Sequence, residues 1–111
     1  MNISVLGAGN GGCAVAEDMS LKGHEVTLIK TSNSIHNENF KYLLENNGKI
    51  SLIEDGITKE TSIKKVTTDL SLISDSEVII IYIQSQYHEN LIKRIIPYLK
   101  SGQILLFNPG Y

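Results

Sequence analysis

The sequence has no tryptophan, only two prolines and a single cysteine, Cys13. One cysteine excludes an internal disulfide and suits a reducing compartment. No apolar run is longer than Val78–Ile83, far short of the ~20 residues with which a helix crosses a bilayer. No basic stretch precedes an apolar one near Met1, so no signal peptide is expected. The expectation is a cytoplasmic chain with no membrane partner. Neither sign of charge dominates, since 10 Lys+Arg stand against 12 Asp+Glu for a net charge of −2. Without a basic excess, and with its tyrosines scattered, the chain is not expected to bind nucleic acid. Cys13, His24 and His36 are not spaced as metal ligands, so no metal is expected either. There is no repeat, linker or low-complexity segment.

What remains is ordinary for one globular domain. The 111 residues are 41% hydrophobic and 20% charged, enough to bury a real core.

Along the chain, Ile3–Leu6 is a short apolar run that reads as a buried strand and stops at Gly7-Ala8-Gly9-Asn10-Gly11-Gly12. Small and apolar residues follow, with Val15 and Met19 on one helix face and Gly23 as a natural helix stop. Glu25–Lys30 is a second strand. Ser34 could cap a helix over 35–46, with Phe40, Leu43 and Leu44 facing inward. Lys49–Lys65 reads as two small strands around a turn at Asp55-Gly56. Val66-Thr67-Thr68 makes a third parallel strand, Asp69 caps a short turn at Leu70–Ser74, and Glu77–Ile83 is a strand buried on both faces. His88–Leu99 is a helix with Leu91, Ile92, Ile95 and Ile96 inward, distorted or ended by Pro97. Gln103–Phe107 is the last strand. Strands alternating with helices predict an α/β fold of the doubly wound Rossmann type, a mainly parallel sheet with helices on both faces.

Gly7, Gly9 and Gly12 match G-x-G-x-x-G in the context that the motif requires, between a strand and a helix, with a second strand closing the unit. Gly7 allows the tight turn, Gly9 lets backbone approach a pyrophosphate, and Gly12 lets the helix pack on the strand. Free N–H groups and the positive end of the helix dipole would hold the phosphates, with Asn10 and Gly11 adding contacts. The expected partner is therefore a small dinucleotide. Cys13, in the first helical turn, could be a reactive thiol, but packing is its expected role.

An acidic residue at the tip of the second strand would select NAD(H) by holding a ribose 2′-hydroxyl. Here that tip is Lys30-Thr31-Ser32, with no carboxylate. A lysine beside two hydroxyls suits a 2′-phosphate and favours NADP(H) over NAD(H). The alternative, NAD(H) with Lys30 merely solvated, stays open. Gln84 and Ser85 leave the carboxyl end of the fourth main strand, where ligands of open α/β sheets lie, and are expected near the cofactor. His88, in the first turn of the next helix, could face the cofactor, but a place at the surface or as a cap is the expectation. Glu17 and Asp18 are expected on a solvated face and Glu54-Asp55 at a turn tip, so no acid–base pair stands out.

The glycine turn, the helix ending Lys22-Gly23-His24 and the closing Leu106-Phe107-Asn108-Pro109-Gly110 together resemble the amino-terminal domain of the opine (octopine/nopaline) dehydrogenase family. That family sits in a wider group with glycerol-3-phosphate dehydrogenase and ketopantoate reductase. The resemblance spans the whole chain; the glycine turn is common to the group, and Asn108-Pro109-Gly110 is the feature more specific to opine dehydrogenases. It implies reductive condensation of an amino acid with an α-keto acid, with hydride passing from NAD(P)H to an imine. It also implies that Gly7, Gly9, Asn10, Gly11 and Gly12 cradle the pyrophosphate. Gln84 and Ser85 replace a Pro-small pair common in the family.

Family members carry a second, helical domain that holds the catalytic His and Asp. Residues 1–111 are accordingly expected to be the NAD(P)-binding domain alone, truncated after the fifth main strand, without catalytic residues and inactive by itself. Its last strand, Ile104–Phe107, would then be an open apolar edge inviting self-association. Two other readings keep the domain: the cofactor domain of a ketopantoate reductase or glycerol-3-phosphate dehydrogenase-like enzyme, and a non-catalytic NADP(H)-binding module.

Overall fold

The computed structural model describes residues 1–31 and 38–109. Five parallel strands form one sheet: β1 (Asn2–Leu6), β2 (Glu25–Ile29), β5 (Lys65–Thr67), β6 (Val78–Ile83) and β7 (Ile104–Pro109). Their spatial order is β5-β2-β1-β6-β7. The chain therefore builds outward from β1 to one side, crosses back, and builds outward to the other, so the order reverses between β1 and β6. A separate antiparallel hairpin joins β3 (Lys49–Glu54) and β4 (Ile57–Ser62). Its two-residue turn has positive φ at both Asp55 (52°) and Gly56 (76°), the backbone of a type I′ turn.

Alternation along the strands sorts the core into two layers. Ile3, Val5, Val26, Leu28 and Ile80 face α1 (Asn10–Leu21) and α2 (Glu38–Glu45). Leu6, Ile29, Ile79 and Ile81 face α3 (His88–Ile95) and the 3₁₀ turn Leu70–Asp75. On this second face the buried hydroxyls of Ser4 and Ser76 bond each other, satisfying two polar groups that burial would otherwise penalise. Asp69 caps the 3₁₀ turn as expected, accepting from Ser71 N at 3.0 Å. α1 closes in a Schellman motif: Gly23 N donates to Ser20 O and His24 N to Met19 O, each at 3.1 Å, with Gly23 at φ +92°.

Several boundaries differ from expectation. The third parallel strand is Lys65–Thr67, so Thr68 lies beyond it. Among the described side chains of α2, Phe40 and Leu43 are buried and Leu44 is exposed; the expected start of this helix, Ser34 to His36, lies outside the described residues. Ile96 is also exposed rather than inward. After Ile95 the chain tightens into a 3₁₀ turn at Ile96–Tyr98, because Pro97 has no N–H to continue the α-helical ladder. The tighter winding shifts the side-chain phase away from the core. β7 runs through Asn108 to Pro109, further than Phe107, paired with β6 on one side only. Ile104, Leu106 and Phe107 remain 55%, 50% and 49% exposed along it.

Candidate functional site

The register sets Leu6 beside Ile29 of β2 and Ile81 of β6. One residue further on, Gly7 leaves the sheet between Lys30 and Tyr82, at the point where strand order reverses. Gly7 N donates to Ile29 O at 2.9 Å. Its φ of +115° suits glycine, and a Cβ here would stand 2.3 Å from the Tyr82 carbonyl oxygen. A Cβ on Gly12 would stand 1.7 Å from the Gly7 carbonyl oxygen, so α1 can sit this close to the turn only with glycine there.

Gly9 is different. It is the N-cap of α1 with φ −76° and ψ −173°, backbone that any residue adopts. Among the described residues, none beyond its own chain neighbours lies within 4 Å of where its Cβ would be. No protein contact demands glycine at this position; the open space does, if something outside the chain is to approach the backbone. Beyond it the N–H groups of Asn10, Gly11 and Gly12 have no intrahelical acceptor. The N-terminus of α1 has no side-chain cap and no acidic residue in its first turn. The positive end of the helix is therefore left for an anion.

Cys13 sits in that first turn, yet it is 2% exposed and its Sγ donates to Ala8 O at 3.5 Å. Burial, aided by the charge of Glu17, pushes its thiol up to about 11. The helix dipole alone would lower it, so desolvation wins and Cys13 is a packing residue.

At the tip of β2 the Lys30 ammonium lies 5.7 Å from the centroid of the Phe40 ring, a cation–π arrangement. Thr31 follows, and its carbonyl accepts from the Arg94 guanidinium at 2.8 Å. Ser32 lies outside the described residues. At the end of β6, Gln84 is the N-cap of a 3₁₀ turn over Ser85–Tyr87, and both Gln84 and Ser85 are exposed. They share the carboxyl end of the sheet with the glycine turn, one strand across from it. His88 has a structural partner set: its Nε2 donates to Ile83 O at 2.9 Å, and its ring packs 5.4 Å from that of Phe107. It ties the start of α3 to β6 and β7.

Two residues at this end were not singled out in the sequence. Tyr82 lies across Gly11, its Cε1 2.2 Å from where a Cβ on residue 11 would stand. The strand alternation of β6 could have placed it on the α1 side, but its target is a glycine that only the fold brings near. Arg94 is 63 positions from Thr31 in sequence, and no local pattern connects them.

The comparisons agree with this architecture. Residues 2–108 match the family model of the NAD-dependent glycerol-3-phosphate dehydrogenase N-terminus. An opine dehydrogenase of Arthrobacter sp. is 31% identical over 108 residues, covering 96% of this chain and 29% of that protein. The crystal structure of Synechocystis arogenate dehydrogenase superposes with a TM-score of 0.68 at 20% identity, over 96% of this chain and 32% of that one. A ketopantoate reductase of the PanE/ApbA family from Ralstonia eutropha superposes with a TM-score of 0.69 at 19% identity, over 97% of this chain and 34% of that one. The chain thus spans about a third of the length of these relatives.

Proposed function

Since this chain belongs to the family of NAD-dependent glycerol-3-phosphate dehydrogenase amino-terminal domains, we propose that it binds NADP(H) for an opine-type oxidoreductase. The observation that carries binding is Gly9. Its Cβ direction is empty, directly over an uncapped helix N-terminus with no acidic neighbour in its first turn. A pyrophosphate fits both features: it needs backbone N–H donors, positive potential and close approach. In this reading Gly7, Gly9, Asn10, Gly11 and Gly12 form the cradle. Lys30, Thr31 and Ser32 receive the adenosine ribose, and Gln84 and Ser85 lie toward the nicotinamide end. Bound nicotinamide supplies or accepts the hydride; the residues here hold and orient it.

The preference for NADP(H) rests on Lys30 in place of a carboxylate at the β2 tip. The reaction, joining an amino acid to an α-keto acid, draws its support from the Arthrobacter relative and from Asn108-Pro109-Gly110. Catalytic residues and substrate site would belong to a further domain, with residues 1–111 as the cofactor domain. A single thiol suits the reducing cytoplasm as its setting. The family match favours a second reading, in which the same domain serves a reductase of the glycerol-3-phosphate type.

The test is titration of the 111-residue chain with NADPH and with NADH, followed by nicotinamide fluorescence. Saturable binding, tighter for NADPH, is expected. Tighter NADH binding would overturn the NADP preference and leave the dinucleotide site standing. Binding of neither would overturn the proposal.

A further inference from the structure

We infer that Arg94, carried by α3 on the sheet face away from α1, is a specificity-determining residue that receives the 2′-phosphate of NADPH at the tip of β2. The inference rests on the dinucleotide reading above and goes beyond Lys30, the cation visible from the sequence.

α3 packs on the layer of Leu6, Ile29, Ile79 and Ile81, and from there the Arg94 side chain reaches the carboxyl end of β2. Its guanidinium donates to Thr31 O at 2.8 Å. That carbonyl belongs to the second residue beyond β2, the region where a Rossmann sheet meets the adenosine ribose. A guanidinium carries five N–H donors, and this bond uses one. Among the described residues no carboxylate pairs with Arg94, whereas Lys22, Lys64 and Lys93 are paired with Asp18, Glu25 and Glu89. The acid just beyond neighbouring β5, Asp69, is committed to Ser71, bonding its N at 3.0 Å and its Oγ at 2.6 Å.

Lys30 is placed less favourably. Its ammonium is drawn to the face of Phe40, and an ammonium meets phosphate as a point charge. A guanidinium meets it with a directional fork that can bond two oxygens at once. Of the two cations at this tip, Arg94 has the unused directional donors. The bond to Thr31 holds it there before any ligand arrives, so little further side-chain order is needed on binding.

The test measures the affinity of the whole chain for NADPH and NADH in wild type, Arg94→Gln and Arg94→Lys. Arg94→Gln is expected to weaken NADPH at least tenfold, the range of a lost charge-assisted bond, while NADH stays within about twofold. Arg94→Lys should recover part of the NADPH affinity. Equal weakening of both cofactors would overturn the inference, because a residue that only anchored the Thr31 carbonyl would disturb both alike. No change in either would overturn it too. If the wild-type chain binds NADH tightly and NADPH weakly, the phosphate assignment falls while the dinucleotide site stands; if it binds neither, both fall together.

Discussion

The ring of Tyr82 occupies the space over Gly11, its Cε1 2.2 Å from where a Cβ on residue 11 would be. The two residues come from neighbouring sides of the strand-order reversal, one at the end of β6 and one in the first turn of α1. What crowds position 11 is thus a side chain, the outer edge of the Tyr82 ring, and not backbone. Gly11→Ala should cost about 1 kcal/mol or less, because the outer edge of the half-buried Tyr82 ring can swing aside, read as a slightly lower thermal midpoint. Tyr82→Ala in the same chain should remove most of that cost. Additive losses in the double variant would show that the two do not interact.

Gly9 makes the opposite prediction. Its backbone is ordinary and its surroundings are empty, so Gly9→Val should cost only about 1 kcal/mol or less of stability through its N-cap position. In the proposed reading the new side chain would stand where a pyrophosphate approaches. Binding of NADPH and NADH should fall together, by at least tenfold, in a chain that still unfolds cooperatively. Unchanged affinity in that variant would remove the phosphates from this turn.

Cys13 should behave as a core residue. At neutral pH a small alkylating reagent should label it only as the chain unfolds, since burial holds the thiol near 11 against its ordinary 9.0. The folded state therefore keeps its proton where the unfolded chain loses it. Between pH 9 and 11 the unfolded state binds fewer protons, and stability should decline as pH rises through that window. Rapid labelling of the native protein, or stability constant across the window, would contradict this.

The free edge of β7 makes a prediction about assembly. Ile104, Leu106 and Phe107 are about half exposed on a strand paired on one side only. An uncharged apolar edge of this kind recruits neighbours. The apparent mass by light scattering should rise with protein concentration, and Leu106→Lys should suppress the rise. A wild-type chain that stays monomeric at every concentration would show that the edge is tolerated.

Much of this protein was legible in its residues. Ile3–Leu6 ending at Gly7, small residues leading into α1, and a strand after Gly23 define a β-α-β unit by local rules alone: apolar runs, helix periodicity and glycine at turns. The same rules located the Asp55-Gly56 hairpin, the Asp69 cap and the stop at Pro97, since each depends on neighbours within a few positions. The glycine turn is legible because close approach to backbone is written in a sequence as glycine.

What only the tertiary structure decided are the relationships that cross the chain. Strand order brings Gly7 between Lys30 and Tyr82, and no residue carries that order by itself. Burial overrode the helix dipole at Cys13, because desolvation depends on what packs around a thiol and not on its place in a helix. The Lys30 ammonium turned toward Phe40, while Arg94 reached Thr31 from another layer. A side chain's partners are set by the three-dimensional path of the backbone, and a sequence pattern reports only what lies within a turn or two of itself.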